Sequence, residues 1–296
     1  MILYTFPLYQ RLARALDPLG APRGEFAVDR FSNGELHATV TTPPGGEDCV
    51  VLSGIAPPDE HLLATLLLAH TLKKDGARSV LALLPYLGYA RHDKREAGRS
   101  LGTAWVGELF RASGIDEVAA VDVHSSKIHQ LFPVPVRSLS PAAVLAAEIR
   151  RLGLAGATVV APDEGAVARC EAVREAAGLS PAIAWVEKTR KREGVTHRTM
   201  HGQTGPRAIV VDDILDTGAT LLSCCEALQR AGAREITVMV SHGLFTGTAW
   251  EGLWSRGVAR IACTDTVPLP ERLAAEGRIT VLSVAPLLAR FQQTRA

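Results

Sequence analysis

Ala208-Ile209-Val210-Val211-Asp212-Asp213-Ile214-Leu215-Asp216-Thr217-Gly218-Ala219-Thr220-Leu221 is the stretch on which the fold turns. Four apolar residues run without a break into two carboxylates. Asp, Thr and Gly follow, and helical apolar spacing begins at Ala219. A continuous apolar strand suits a parallel sheet covered on both faces, because neither face then meets water. A strand that passes through a short polar turn straight into a helix is half of a β–α crossover unit.

The same alternation extends in both directions. Apolar runs predict strands over 49–53, 79–84, 117–121, 158–161, 182–186, 208–211, 235–240, 259–264 and 280–281. Helical spacing lies between them, most clearly over 60–74, 101–112, 141–152, 166–177 and 219–231. This order predicts an α/β protein built on mostly parallel sheets flanked by helices. The pattern occurs twice. With 296 residues, the chain divides into two domains of similar size, 1–139 and 140–296. A final helix near 287–292 is expected to pack back, with the tail belonging to the first domain.

Composition narrows the function classes. Hydrophobic residues make up 47% of the chain and charged residues 21%, enough for well-buried cores. The formal net charge is +1, so no general affinity for nucleic acid or an acidic membrane follows, and any anion must be bound by local placement of charge. No uncharged apolar stretch of 18 residues is present, and residues 1–18 lack the pattern of a secretory signal. The five cysteines form no CxxC pair and no zinc-ligand spacing, and Cys224-Cys225 falls inside a predicted helix as buried thiol. The expected location is the cytoplasm, with reduced cysteines.

The chemistry of the opening stretch follows from its residue types. A helix N-terminus offers unpaired N–H groups and partial positive charge, which suits a phosphate. Gly218 and the small Ala219 let backbone approach the anion, and the hydroxyls of Thr217 and Thr220 add donors. Asp212 and Asp213 cannot bind phosphate directly, but they accept hydrogen bonds from sugar hydroxyls. Together these features describe a ribose-phosphate pocket at the carboxyl end of a parallel strand, where open α/β sheets bind ligands. The plainer alternative is an ordinary helix start with Asp216 as N-cap.

At this point the sequence resembles a known family. VVDDILDTGAT at 210–220 resembles the phosphoribosyl-diphosphate motif shared by type I phosphoribosyltransferases and ribose-phosphate pyrophosphokinases. Further segments, in order and at compatible spacing, resemble the pyrophosphokinases. The resemblance covers nearly the whole chain, and the shorter length and Lys188-Thr189-Arg190 are closer to the archaeal-type members. It implies two phosphoribosyltransferase-type domains, ATP and ribose 5-phosphate as substrates, Mg²⁺ as cofactor and a homo-oligomer with shared active sites. Arg30-Phe31-Ser32-Asn33-Gly34-Glu35 looks like the segment that reaches a neighbouring subunit's adenine site, which makes Phe31, Asn33 and Glu35 nucleotide contacts. Pro85 to Lys94 (PYLGYARHDK) looks like the ATP-binding segment, with Arg91, His92 and Asp93 as its contacts. Asp122-Val123-His124-Ser125-Ser126 looks like the segment whose histidine meets the metal–ATP complex. Ala161 to Ala166 (APDEGA) looks like the loop that holds metal and pyrophosphate, with Asp163 as ligand. Glu187-Lys188-Thr189-Arg190 looks like the segment whose lysine and arginine carry transition-state charge. Asp212, Asp213, Asp216, Thr217, Gly218, Ala219 and Thr220 would then hold ribose 5-phosphate.

Three positions depart from the family pattern: His92, where glutamine is common; Glu164-Gly165-Ala166, in place of a glycine pair; and Ala219. Taken singly, several residues have plainer readings. His124 suits a semi-buried histidine at a strand end, and Phe31 a core position. Lys188 and Arg190 lie in EKTRKREG at 187–194, a run that by itself describes a solvated loop, here one able to close over substrates. Two other functions compete. One is a phosphoribosyltransferase that consumes the diphosphate product, and the other is a catalytically silent regulatory paralogue.

Overall fold

The computed structural model describes residues 1–17, 20–125, 127–190, 196–275 and 277–294; the side chains of residues 188–190, 196–198 and 274 lie outside that description. The chain forms two compact units. The first contains Met1–Leu139, Thr266–Pro268 and Val284–Ala296, and the second contains Ser140–Asp265 and Leu269–Ser283.

In the first unit the elements are β1 (Ile2–Thr5), α1 (Gln10–Arg14), β2 (Arg23–Gly24), β3 (Phe26–Arg30), β4 (Leu36–Val40), β5 (Asp48–Leu52), α2 (Glu60–Lys74), β6 (Ser79–Leu84), α3 (Gly102–Ala112), β7 (Glu117–Val121), α4 (Ile128–Leu131) and β8 (Val136–Leu139). Six strands form one sheet in the order β2-β1-β5-β6-β7-β8, and every pairing is parallel. Helices cover both faces. Val51, Ala82 and Leu84 pack with Leu68 and Leu72 of α2 and with Val106 and Phe110 of α3. The alternate residues Val50, Leu52 and Leu83 pack with Leu12 of α1. β3 and β4 form a separate antiparallel hairpin.

The second unit contains α5 (Ala142–Arg151), β9 (Thr158–Ala161), α6 (Val167–Ala177), β10 (Ala184–Arg190), β11 (Thr196–His201), β12 (Arg207–Leu215), α7 (Ala219–Arg230), β13 (Glu235–Gly243), β14 (Val258–Thr264), α8 (Glu271–Ala274) and β15 (Ile279–Leu282). The last helix, α9 (Ala285–Gln293), belongs to the first unit, where Leu288 and Phe291 share a cluster with Leu3 and Leu12. The second sheet has seven strands in the order β11-β10-β9-β12-β13-β14-β15, parallel except for β10 with β11. β12 lies between β9 and β13, and its alternating residues serve two cores. Ala208 and Val210 pack under Leu221, Cys224 and Leu228 of α7. Ile209 and Val211 pack under Leu145 and Ile149 of α5 and Cys170 and Val173 of α6. Each such burial stabilises by about 1.5–3 kcal/mol, which is why the first carboxylate comes only after Val211.

The structure departs from the sequence expectations in several elements. β1 and β8 are four-residue strands, too short for their apolar alternation to stand out. The strand expected at 182–186 is β10, which continues through Arg190 and pairs antiparallel with β11. The backbone of Lys188 and Arg190 is therefore extended ladder and not loop. Among the described residues β10 pairs with β9 only at Ala184 and Trp185, and beyond Trp185 β10 and β11 pair with each other. Such a ribbon has no need of an apolar face, and THRTMH in β11 gives no strand signal. Of the run at 187–194 expected to close over substrates, residues 191–194 lie outside the described residues.

Candidate active site

The turn after β12 is fixed from three sides. Leu244 and Phe245 donate their backbone N–H groups to the carbonyl of Leu215, at 2.8 and 3.0 Å. Thr246 donates to the carbonyl of Asp216 at 3.1 Å. Gly218 takes φ +85°, and a Cβ there would lie 2.8 Å from Cα of Trp250. Left-handed backbone and close approach both demand glycine at this point. Trp250 is held in turn by an edge-on contact with Phe245, at 4.9 Å between centroids. Gly218, and not Asp216, is the N-cap of α7, and it makes no side-chain cap. The first turn of α7 keeps the N–H groups that its geometry leaves unpaired, and Thr217, Ala219 and Thr220 are exposed beside it.

The acidic pair is placed differently. Asp213 is only 5% exposed, and its backbone N–H donates to Oδ1 of Asp212 at 2.9 Å. Burial and then the neighbouring charge of Asp213 push the Asp212 carboxyl well above the usual carboxylate range, while Arg169 pulls it down. Arg169, from α6, stands 4.0 Å from Oδ1 of Asp212 and 3.8 Å from Oδ2 of Asp213. Sequence reasoning passed over Arg169. The available signal was a cation six residues after Asp163, near the start of the helix that follows β9.

Asp163 ends the β9 crossover. Its Oδ1 accepts the N–H of Ala166 at 3.2 Å and caps the turn Glu164–Ala166. The carboxylate is exposed. A side chain at Gly165 would approach that oxygen to 3.2 Å, and Ala166 is buried. Among the described residues no group of three or more His, Cys, Asp or Glu side chains gathers as a metal cluster.

In the first unit the segment after β6 is also shaped by close contact. A Cβ on Gly88 would lie 2.3 Å from the carbonyl oxygen of Ile55, so only glycine fits. Tyr89 takes φ +63°, and its hydroxyl donates to Asp59. Arg91 and His92 are exposed. Thr103 ties the segment to α3, donating its N–H to the carbonyl of His92 at 3.2 Å and its hydroxyl to that of Tyr89 at 2.9 Å. Asp93 accepts the hydroxyl of Ser125 at 2.7 Å. That bond joins the 85–94 segment to the one bearing His124, which is exposed at the end of β7 and not semi-buried. Val123 next to it donates its N–H to Oγ of Ser138 at 3.1 Å.

Phe31 lies at the tip of the β3–β4 hairpin, 56% exposed, and not in the core. It stacks on His37 with centroids 4.3 Å apart. Asn33 and Glu35 bond to each other: Nδ2 of Asn33 donates to Oε2 of Glu35 at 2.9 Å, and the N–H of Glu35 donates to Oδ1 of Asn33 at 3.1 Å. Lys188 pairs in register with Arg198 and Arg190 with Thr196; these side chains lie outside the described residues. At the root of that ribbon Trp185 stacks on His201, 4.3 Å between centroids, and Nε2 of His201 meets Glu187 at 2.9 Å.

Comparison with known proteins bears on the whole arrangement. Residues 3–114 match the N-terminal domain of ribose phosphate pyrophosphokinase, and residues 157–293 match the phosphoribosyl synthetase-associated domain. The chain is 35% identical to the ribose-phosphate pyrophosphokinase of Bifidobacterium longum, covering 98% of this chain and 87% of that one. It is 33% identical to the enzyme of that name from Campylobacter jejuni, over 92% of this chain and 87% of the other. A crystal structure of phosphoribosylpyrophosphate synthetase from Mycobacterium smegmatis superposes with a TM-score of 0.87 at 27% identity, covering 99% of this chain and 98% of that one. The two units are thus phosphoribosyltransferase-type domains, and the chain belongs to the ribose-phosphate pyrophosphokinase family.

Proposed function

We propose that this chain is an enzyme that transfers the β,γ-diphosphate of ATP to the anomeric hydroxyl of ribose 5-phosphate, giving 5-phosphoribosyl 1-diphosphate and AMP. The observation that carries this reading is coverage. Ribose-phosphate pyrophosphokinases match both units from end to end, whereas a phosphoribosyltransferase would need only one such domain.

In this reading the phosphate of ribose 5-phosphate sits on the 216–220 turn, held by backbone N–H groups and the hydroxyls of Thr217 and Thr220. Asp212 and Asp213 accept the 2- and 3-hydroxyls. Phe31, Asn33, Glu35, Arg91, His92 and Asp93 serve the nucleotide. The anomeric oxygen forms a bond to the β-phosphorus as the bond from that phosphorus to the α,β-bridging oxygen breaks. AMP leaves with the electron pair, and the hydroxyl proton is released. Lys188 and Arg190 supply positive charge where negative charge shifts during transfer. Positioning and these cations carry most of the acceleration.

The donor set also fits a hard divalent cation. Asp163 offers an exposed carboxylate of which one oxygen caps a turn, and the only donors needed are oxygens. Asp163 is the proposed direct Mg²⁺ contact of the second unit, and His124 of the first unit is proposed to meet metal through water. When bound, Mg²⁺ neutralises and polarises phosphate oxygens.

Among the described residues no helix is long and apolar enough to cross a membrane. The reading places the reaction in the cytoplasm, with neither nucleic acid nor membrane as partner. The exposed Phe31 at a hairpin tip supports a homo-oligomer in which that hairpin reaches a neighbouring copy's nucleotide. The test of the function is a mixture of the protein, ATP, Mg²⁺ and ribose 5-phosphate without any nucleobase. AMP release that depends on ribose 5-phosphate is expected. Turnover only on adding a base and phosphoribosyl diphosphate would identify a transferase, and no turnover at all a silent paralogue.

A further inference from the structure

Arg169 is 15% exposed at the side chain and faces two carboxylates that are 13% and 7% exposed. One guanidinium thus serves two largely buried carboxyl groups, and Asp163 adds a further negative charge acting on Asp212. Its placement is fixed from next door. Cys170, the following residue of α6, donates its Sγ–H to the carbonyl of Val211 at 3.4 Å, immediately before the acidic pair. The helix is therefore latched to β12 at the point where the carboxylates begin. The separations of 4.0 and 3.8 Å exceed hydrogen-bond length, so the attraction is Coulombic. A bidentate arginine would occupy both oxygens of one carboxylate. At this distance the charge is offset while the oxygens are not consumed as a forked pair.

We propose that Arg169 is a positioning residue for the sugar substrate: it sets the charge and orientation of the Asp212–Asp213 pair without occupying it as a hydrogen-bonding partner. The proposal rests on the reading of that pair as the acceptor of sugar hydroxyls. It predicts that Arg169 acts on ribose 5-phosphate affinity and leaves the nucleotide and the transfer step alone. Lysine keeps the charge but cannot span two carboxylates, so it replaces arginine only in part.

The experiment compares kcat and both KM values, with Mg²⁺ saturating, in wild type, Arg169→Lys, Arg169→Met and the double variant Asp212→Asn/Asp213→Asn. Arg169→Met is expected to raise KM for ribose 5-phosphate about tenfold or more, and Arg169→Lys about threefold, with kcat and KM for ATP within about twofold of wild type. An unchanged KM for ribose 5-phosphate in the Arg169 variants, with a raised one in the Asp double variant, overturns the proposal and spares the sugar-site reading. Parallel changes in kcat and both KM values also overturn it, since a merely structural residue would act that way. An unchanged KM for ribose 5-phosphate in the Asp double variant sinks the sugar-site reading and the proposal with it. If Arg169→Met fails to fold, Arg169→Lys decides on the same terms.

Discussion

The regions proposed to hold the sugar and the nucleotide are built in opposite ways. On the sugar side, backbone does most of the work. The 216–218 turn is bonded to the turn after β13, Gly218 is pressed against Trp250, and the acidic pair is largely buried. On the nucleotide side, side chains do the work. Arg91, His92 and His124 are exposed, and Phe31 projects from a hairpin tip. On the proposed assignments, the sugar site has its shape before any ligand arrives, whereas the nucleotide contacts are ordered on binding, at a cost in side-chain entropy. Substitutions on the sugar side should therefore change stability and affinity together. Those on the nucleotide side should change kinetics alone.

The largest expected effect lies outside both regions, on β10. Lys188→Ala should lower kcat by about two orders of magnitude or more with little change in either KM, because its charge matters as negative charge moves. Steady-state kinetics check this, and an unchanged kcat would remove Lys188 from the mechanism. The same variant sharpens the nucleotide-side picture. Mixed with Phe31→Ala under conditions of verified subunit exchange, it should recover part of the activity in hybrids. No recovery would mean that each chain completes its own nucleotide site.

An intermediate effect tests the sugar side. Gly218→Ala forces a side chain into left-handed backbone, a cost of about 1–2 kcal/mol, and drives its Cβ into Trp250. KM for ribose 5-phosphate should rise about tenfold or more, and thermal stability should fall with it. A change in KM for ATP alone would contradict the assignment of this turn.

The smallest effect concerns Asp212. Its carboxyl holds a proton to higher pH in the folded protein than in the unfolded chain. A group shifted this way stabilises the fold fully below the ordinary carboxylate range and loses that contribution as pH rises through its folded-state value. Above that value the charge on Asp212 is therefore a burden on the unliganded protein. Asp212→Asn should raise the melting temperature by about 2–4 °C per kcal/mol relieved, and the difference should vanish on acidification below the usual aspartate range. A lower melting temperature at neutral pH would show that the charge is compensated better than the geometry suggests.

Much of this was legible in the sequence because one physical rule governs it. A strand covered on both faces has to be apolar throughout, so β6, β9 and the first half of β12 announced themselves. α2 kept its expected bounds, whereas β12 and β13 run three to four residues further into polar sequence. The 216–220 turn was legible through Gly218, although its contact with Trp250 was not, because Trp250 is 32 residues away and no local pattern links them. Arg169 was hard to read for the same reason: its place six residues after Asp163 marks a cation near the site, but a lone arginine on a helix does not show that it meets two carboxylates from another element. β10 and β11 were missed in part because a two-stranded ribbon obeys no burial pattern. Phe31 shows the converse. As a lone aromatic it suggested core, and only the resemblance of the whole segment Arg30 to Glu35 indicated an exposed nucleotide contact.

In the proposed reaction a diphosphate, and not a single phosphoryl group, leaves ATP for the sugar. The most direct measurement uses ATP labelled at the β-phosphorus with ribose 5-phosphate and Mg²⁺, following the label and the nucleotide product together. One AMP is expected per sugar diphosphate formed, with the β-label wholly in the sugar product. Formation of ADP with the label retained in the nucleotide, at a rate that depends on ribose 5-phosphate, would contradict it.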